Sequence, residues 1–344
     1  MSPVKLAIAG GGVIGRRHAG AIANSEDTIL VAIADPALSG KRLGNDMDVP
    51  VFSNLKALLA EVSVDGVIVS TPTEHHFEPT MVALDSGCHV LVEKPIMATL
   101  KEADQVVAKA AASRRHVLVG HHRRYYSLTH RARNIIQSGE LGQLVAVSGQ
   151  WTLRKADAYY DPDWRKKWEA GPVLTNLIHE MDLLRYICGE IESISAEVSH
   201  SVRNWEKEDA VAMIMRFVSG AIGTFILSDQ ATSPWAWELG TGETELFPKT
   251  GQNSMRFMGT RAALDFPNLA LWHHGDEVPN WNHVISPDPI ELELEDAYAL
   301  QIAHFAAVIA DRERPIITAA DGTMTLRTTL AVFEAASMGH RVIL

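Results

Sequence analysis

Three groups of residues in this chain have types and spacings suited to chemistry. The first is Gly10-Gly11-Gly12-Val13-Ile14-Gly15, which follows an apolar run and is itself followed, twenty residues after Gly15, by Asp35. The second is Glu93-Lys94-Pro95, directly after the apolar run Val90–Val92. The third is the stretch Gly171–Gly189, in which Thr175, His179, Asp182 and Tyr186 recur at i, i+4, i+7 and i+11.

Read as G-x-G-x-x-G, Gly10 makes a tight turn, Gly12 lets backbone approach a pyrophosphate, and Gly15 allows a helix to pack closely on a strand. Val13 and Ile14 open that helix, whose free N–H groups and partial positive charge suit phosphates. A carboxylate at Asp35 can accept hydrogen bonds from ribose hydroxyls and repels a 2′-phosphate, which favours NAD over NADP. Arg16, Arg17, Lys41 and Arg42 lie close in sequence and could accommodate such a phosphate. Lys94, at the C-terminal end of a strand, points to the crevice where ligands of such sheets sit, and its ammonium could stabilise a hydroxyl oxygen as it gains charge. A cis Lys94–Pro95 bond is open to this position. A histidine with an unperturbed pKa near ~6.5 can take the hydroxyl proton as hydride leaves the same carbon. Leu174, Leu177, Ile178, Met181, Leu184 and Cys188 give the His179 helix an apolar stripe on a separate face, so the polar face has a reason to line a cleft.

These groups need elements to position them. Strand-like runs at Lys5–Ala9, Leu30–Ala34, Gly66–Ser70, Val90–Val92 and Val117–Val119 alternate with helical stretches such as Ser53–Glu61 and Leu100–Ser113, the pattern of a parallel sheet with crossover helices. Thr99 is the expected N-cap of the second of these. Past Tyr126 the pattern changes. A helix at Ser127–Ser138 leads to a strand at Leu144–Leu153, and alternating runs follow at Ile194–Val202, Val211–Val218, Ala221–Leu227, Met255–Met258 and Ala262–Phe266. Ser219-Gly220 signals a hairpin, which points to an antiparallel or mixed sheet. Helices at Tyr298–Ala310 and Gly322–Met338 close the chain, with one domain boundary near Arg123 to Ser127.

The chain has 344 residues, 47% hydrophobic and 21% charged, enough for two cored domains. Up to Tyr126 the 13 Lys and Arg balance the 13 Asp and Glu; the remainder carries 18 against 29, the whole of the net −11. An acidic surface repels nucleic acid and anionic membrane, so neither is an expected partner. No apolar run reaches the ~18–20 residues of a membrane helix, and no leader is read before the strand at Val4. Two cysteines, Cys88 and Cys188, are too few for a disulfide framework, and a reducing cytoplasm is the simplest compartment. Fifteen histidines include the pairs His75-His76, His121-His122 and His273-His274, but none has ligand spacing and no metal is expected.

The glycine turn, Thr71-Pro72 with His75, Glu93-Lys94-Pro95 and Gly120-His121-His122-Arg123-Arg124-Tyr125 resemble the Gfo/Idh/MocA oxidoreductase family, and Gly171–Gly189 resembles its active-site helix. The likeness runs through essentially the whole chain. It implies an α/β protein, with a doubly wound Rossmann domain over 1–124 and an α/β domain over 125–344 built on a large open, mostly antiparallel sheet. That sheet often carries oligomer contacts, so a homodimer or homotetramer is expected. The resemblance implies hydride transfer between NAD and a sugar, cyclitol or related polyol. Its cofactor site would draw on Gly10, Gly12, Val13, Ile14, Gly15, Asp35, Thr71, Pro72, His75, Glu93, Lys94 and His122. Lys94 and His179 would act on the hydroxyl, with Thr175 and Asp182 beside them. Arg123, Trp164, Arg165 and Asn176 would join Lys94 and His179 in holding substrate.

The Trp164-Arg165 pair, within the aromatic cluster Trp151, Tyr159, Tyr160, Trp164 and Trp168, equally suits core packing or an oligomer contact. In the inositol dehydrogenase pattern an Asp sits four residues before the histidine; here Thr175 holds that place and brings no negative charge, a difference for which Asn176 or Asp182 could compensate. Two further functions share these residues: a redox-neutral reaction on tightly held NAD, as in an epimerase or glycosidase, and a non-catalytic NAD-dependent sensor. Asp35 carries one expectation that is read directly. NADH binds more tightly than NADPH in a fluorescence titration, and the reverse order contradicts the role given to this carboxylate.

Overall fold

Strands buried on both faces of a parallel sheet need near-continuous apolar runs, and the first third of the chain supplies them. In the computed structural model, which describes residues 2–344, these runs form β1 (Val4–Ala9), β2 (Thr28–Ala34), β3 (Val51–Phe52), β4 (Gly66–Val69), β5 (His89–Val92) and β6 (Val117–Val119). All pair in parallel, in the order β3-β2-β1-β4-β5-β6, so the direction of winding reverses between β1 and β4. The helices between them are α1 (Val13–Ala23), α2 (Leu38–Met47), α3 (Leu55–Glu61), α4 (Phe77–Asp85) and α5 (Leu100–Ser113). Thr99 caps α5, as expected, and Glu102 completes a capping box with it; Asn54 caps α3 through its side-chain oxygen. Strand β3 has two residues, too short to show an alternating pattern in the sequence.

Downstream lie α6 (Ser127–Gln137), β7 (Leu144–Thr152), α7 (Ile178–Cys188), β8 (Ile191–Ser199), β9 (Ala210–Phe217), β10 (Ile222–Ser228), α8 (Trp237–Thr241), β11 (Met255–Gly259), β12 (Ala262–Phe266), β13 (Ala270–His273) and β14 (Ser286–Pro289), then α9 (Ala297–Ile309), α10 (Ala319–Met338) and β15 (Val342–Ile343). Nine of these strands form one sheet in the order β14-β13-β12-β11-β7-β10-β9-β8-β15. Every pairing in it is antiparallel except β7 with β10. The β9–β10 hairpin turns through Gly220 at φ +89°, with Phe217 N–H donating to Ala221 O at 2.9 Å.

The chain forms two units, Met1–Tyr125 with Asp296–Leu326, and Tyr126–Glu295 with Arg327–Leu344. The segment Asp296–Leu326, grouped in the sequence with the second domain, thus belongs to the first. The reason lies in the core. Leu6, Ile8, Ile33, Ile68 and Leu91 pack with Ile22 of α1 and with Ile302, Phe305 and Val308 of α9, all at most 1% exposed. Helix α9 therefore covers sheet surface that the first 125 residues leave open, and Gly66 lets it close, since a Cβ there would lie 2.7 Å from Ile309 Cδ1.

In the second unit a buried charge pair fixes the strand ends. Lys207 Nζ lies 2.8 and 3.0 Å from the two oxygens of Asp229, with both side chains fully buried. Tyr160 Oη–H donates to Asp229 Oδ2 at 2.5 Å and Gln230 Nε2 to Oδ1 at 2.8 Å, so the carboxylate is satisfied on each side. Among the described residues, no helix is long and apolar enough to cross a membrane.

Candidate active site

The turn after β1 is built from contacts too close for side chains. Gly10 has φ +100°, and a Cβ there would sit 2.7 Å from the backbone of Ser70 and Thr71. A Cβ on Gly15 would overlap Gly10 O, which is the close helix–strand packing expected of that position. Ser70 Oγ–H donates to the same Gly10 carbonyl at 2.8 Å, locking β1 to the end of β4. A Cβ on Gly12 would meet nothing within 4 Å, and Val13 beside it is 86% exposed. No side chain caps the N-terminus of α1, so its first N–H groups point into that open approach. A pyrophosphate fits this cradle on charge and on space.

Asp35 is held more firmly than the sequence suggests. Its Oδ2 accepts the Gly11 N–H at 2.7 Å and the Ser39 hydroxyl at 3.1 Å, and its Oδ1 accepts the Ala37 N–H at 2.8 Å. Gly40 makes room for it, since a Cβ there would overlap Asp35 Cβ. Gly11, Ser39 and Gly40 are thus part of the cradle, although the motif counts Gly11 as a free position. Arg16 pairs with Asp46 at 2.6 Å, and Arg17 with Asp296 at 3.0 Å, its guanidinium 5.2 Å from the Tyr298 ring. Two of the four cations that could have met a 2′-phosphate are therefore engaged within the protein.

Beyond β4, Thr71 Oγ1–H donates to His75 O at 2.9 Å, while the ring of His75 is exposed and Pro72 is exposed beside it. The neighbouring His76, passed over in the sequence, is 1% exposed and places Nδ1 2.9 Å from Pro95 O and Nε2 2.9 Å from Thr71 O. Burial holds it below the usual histidine range despite those carbonyls. It joins the Thr71 turn to the Lys94 turn, whose Lys94–Pro95 bond is cis. Lys94 is half-buried.

Glu93 is buried, with Oε1 2.8 Å from His18 Nε2 and Oε2 accepting the Lys94 N–H at 3.3 Å. Burial pushes this carboxyl up, but the His18 hydrogen bond and the charges of His18, His122 and Lys94 outweigh burial and leave it below the usual carboxylate range. Both oxygens are engaged inside the protein, which suits a support for Lys94 better than a direct cofactor contact. His122 stacks on Tyr298 at 4.9 Å, and Arg123 is 3% exposed.

The residues of the second unit depart further from expectation. Val173–Leu177 is a π-helical turn, with Ile178 N–H donating to Val173 O, and regular α-helix begins only at Ile178. One extra residue rotates what precedes it by about 100° against a regular helix, so the even i, i+4 face drawn through Thr175 and His179 is broken. Ile178 to Ile187 are all buried, so α7 has no solvent-facing side; His179 is 8% and Asp182 1% exposed. Thr175 Oγ1 lies 2.9 Å from both Gly171 O and Asn176 Oδ1, and Lys155 Nζ donates to Asn176 Oδ1 at 2.9 Å. Lys155, which the sequence did not single out, thus sits at the position where the departure from the inositol dehydrogenase pattern occurs. Tyr186 Oη meets His130 Nδ1 at 3.0 Å rather than joining a catalytic row. Trp164 is 62% exposed, and Arg165 lies 4.1 Å over Tyr159 with Nη1 donating to Tyr159 O at 2.6 Å.

Glu208 is the second support that sequence gave no sign of. Its Oε1 accepts the Val173 N–H at 2.6 Å, and Gly171 admits it, since a Cβ there would overlap the carboxylate. It therefore fixes the start of the π turn that leads to His179. Burial pushes its pKa up to about 7. Among the described residues, no group of three His, Cys, Asp or Glu is arranged to hold a metal ion.

With this geometry in view, the comparisons with known proteins agree at the level of family and fold. Residues 4–121 match the family model of the Gfo/Idh/MocA oxidoreductase family, NAD-binding Rossmann fold, and residues 129–265 match the Gfo/Idh/MocA C-terminal domain. The chain is 27% identical over 297 residues to the 1,5-anhydro-D-fructose reductase of Ensifer adhaerens, covering 84% of this chain and 82% of that one. It is 26% identical over 349 residues to the scyllo-inositol 2-dehydrogenase (NAD(+)) of Bacillus subtilis, covering 98% and 96%. The crystal structure of the WlbA dehydrogenase from Bordetella pertussis, solved with NADH and UDP-GlcNAcA, superimposes with a TM-score of 0.83 at 20% identity over 100% of this chain and 99% of that one.

The raised Glu208 carboxyl sets a pH dependence. The native state keeps its proton to about pH 7, whereas an unfolded Glu releases it near 4.5, so this group's contribution to stability falls as pH rises between those values. Glu208→Gln removes that loss. The melting temperature of the variant minus that of the wild type is expected to grow from pH 5 to pH 8 and then level off; a difference independent of pH contradicts the assignment.

Proposed function

Because the chain belongs to the Gfo/Idh/MocA oxidoreductase family, we propose that it is an NAD-dependent dehydrogenase acting on a CH–OH group of a sugar, cyclitol or related polyol, with Lys94 and His179 handling the hydroxyl proton. One observation carries the reading: the Gly10–Gly15 cradle, pinned to Asp35, lies in the same unit as a lysine held at the end of β5. The names of the relatives, a sugar reductase and a cyclitol dehydrogenase, support the substrate class. When bound, NAD supplies the two-electron acceptor.

The chain's own groups supply the rest. Val13 and Ile14 offer helix-terminal N–H groups to the dinucleotide phosphates, and Asp35 keeps an acceptor for ribose hydroxyls while disfavouring a 2′-phosphate. Thr71, Pro72, His75 and His122 border the nicotinamide end. Lys94 donates to the substrate hydroxyl and stabilises its oxygen as the proton departs, and His179 takes that proton. Asp182, three residues further along α7 and buried, favours the imidazolium so formed. Arg123, Trp164, Arg165 and Asn176 hold the polyol. Thr175, anchored to Gly171 O, brings no charge of its own to this site.

The same reading includes a homo-oligomer. Ile214, Ile222 and Ile226 are 57%, 50% and 45% exposed and share one face of the β9–β10 pair, where a second copy would cover them. Sedimentation equilibrium is expected to give a dimer or tetramer that Ile214→Lys with Ile226→Glu dissociates; a monomeric wild type removes this part of the proposal.

The activity test is incubation with NAD and a panel of polyols, aldoses and cyclitols, followed by NADH absorbance. Lys94→Ala and His179→Ala are each expected to lower kcat by roughly 10²–10⁴-fold while NAD binding persists. Near-wild-type turnover in either variant refutes its role. Substrate conversion without NADH release would establish the redox-neutral alternative instead.

A further inference from the structure

The least exposed polar contact near Lys94 is the one behind it. His18, on α1 three residues after Gly15, is 0% exposed and aims Nε2 at Glu93 Oε1, 2.8 Å away. Among the described residues its Nδ1 has no hydrogen-bond partner, which leaves the contact with Glu93 as its hydrogen bond. On the other side of the carboxylate, Oε2 accepts the backbone N–H of Lys94. Gly120 walls the group in, since a Cβ there would come within 2.8 Å of both carboxyl oxygens and their carbon. A buried carboxylate without donors becomes neutral, because the ionised form is poorly solvated. A histidine buried for this one bond, on the helix that opens the dinucleotide cradle, is difficult to explain as packing alone.

We infer that His18 is a positioning residue: it holds Glu93 ionised in the interior, and Glu93 in turn fixes the turn that presents Lys94. The inference rests on the role given to Lys94 under the proposed function. It makes the first helix serve two ends. The N-terminus of α1 meets the dinucleotide, and its second turn sets the geometry of the lysine at the neighbouring strand end. The charged and titratable groups that act on Glu93 are His18 from α1, Lys94 beside it, His122 from the turn after β6 and, more weakly, His76. Tyr298 packs edge-on to His18 at 5.3 Å and face-on to His122 at 4.9 Å, and Arg17, paired with Asp296, lies 5.2 Å over its ring.

Two variants separate positioning from packing. His18→Gln keeps a donor able to reach the carboxylate, whereas His18→Leu fills similar space with none. His18→Leu is expected to lower kcat tenfold or more at pH 7, with the KM for NAD changed less than threefold. Its acid limb should shift upward in pH, so that part of the loss is recovered at pH 9. His18→Gln should stay within threefold of wild type with an unshifted profile. A readout independent of turnover is reductive methylation of the folded protein, with Lys94 followed by peptide mass mapping. Its labelling rate should change at least threefold in His18→Leu and not in His18→Gln.

Equal pH profiles and equal Lys94 labelling in wild type and His18→Leu overturn the inference. So does a uniform loss in both variants with no shift in profile. If the wild type forms no NADH with any compound of the panel but the labelling difference appears, the dehydrogenase reading fails and the positioning of Lys94 by His18 stands.

Discussion

The carbonyl of Gly10 is the point on which the first unit turns. It is approached by α1 so closely that only glycine fits at position 15, and it accepts the Ser70 hydroxyl from the next strand. That single oxygen therefore registers β1, β4 and α1 against one another at the place where the winding of the sheet reverses. Ligand crevices of open α/β sheets lie at such reversals because the loops on either side diverge. Here the divergence is bridged again further out, by Gly11 and Ser39 on Asp35 and by His76 between Thr71 and Pro95. The cradle is a set of backbone contacts braced by a few buried side chains.

Both units use the same solution to hold a loop in place. In the first, a buried carboxylate at Glu93 is matched by His18 and bonded to the backbone of Lys94. In the second, Glu208 is bonded to the backbone of Val173 at the π turn ahead of His179, and Lys207 with Asp229 secures the strands next to it. A hydrogen bond from a backbone N–H to a buried carboxyl group is directional, and breaking it leaves a buried polar group without its partner. Loops held in this way keep their geometry without large apolar side chains, which would fill the space a substrate needs. The glycines at 120 and 171 follow from the same arrangement, since each lies against one of the two carboxylates.

What the sequence made legible follows from periodicity and from glycine. Five of the six strands of the first sheet, the Thr99 cap of α5 and the roles of Gly10 and Gly15 are local patterns, and local patterns survive folding. His18, His76 and Glu208 were invisible for the opposite reason. Each acts on a residue between 19 and 75 positions away, and nothing in the flanking residues marks it. The His179 helix shows an intermediate case. Its apolar spacing predicted a helix, but the π turn at Val173–Leu177 displaced the phase of the polar residues before Ile178, and a one-residue slip leaves no trace in composition. The assignment of Tyr298–Ala310 to the second domain misplaced a correctly read helix, because which of two sheets an apolar helix will cover is decided by the open surface waiting for it.

That last feature bears on the order of events during synthesis. The strands of the first unit leave the ribosome early, yet Ile302, Phe305 and Val308, which complete its core, lie beyond the whole length of Tyr126–Glu295. At typical elongation rates that interval lasts roughly ten to thirty seconds. Throughout it, the face of β1, β2 and β4 that α9 will occupy is an uncovered apolar surface attached to a nascent chain, the kind of surface that chaperones bind and that promotes misassembly. The nucleotide-binding half of this protein begins folding first, yet its core closes only after nearly all of the second unit has been made.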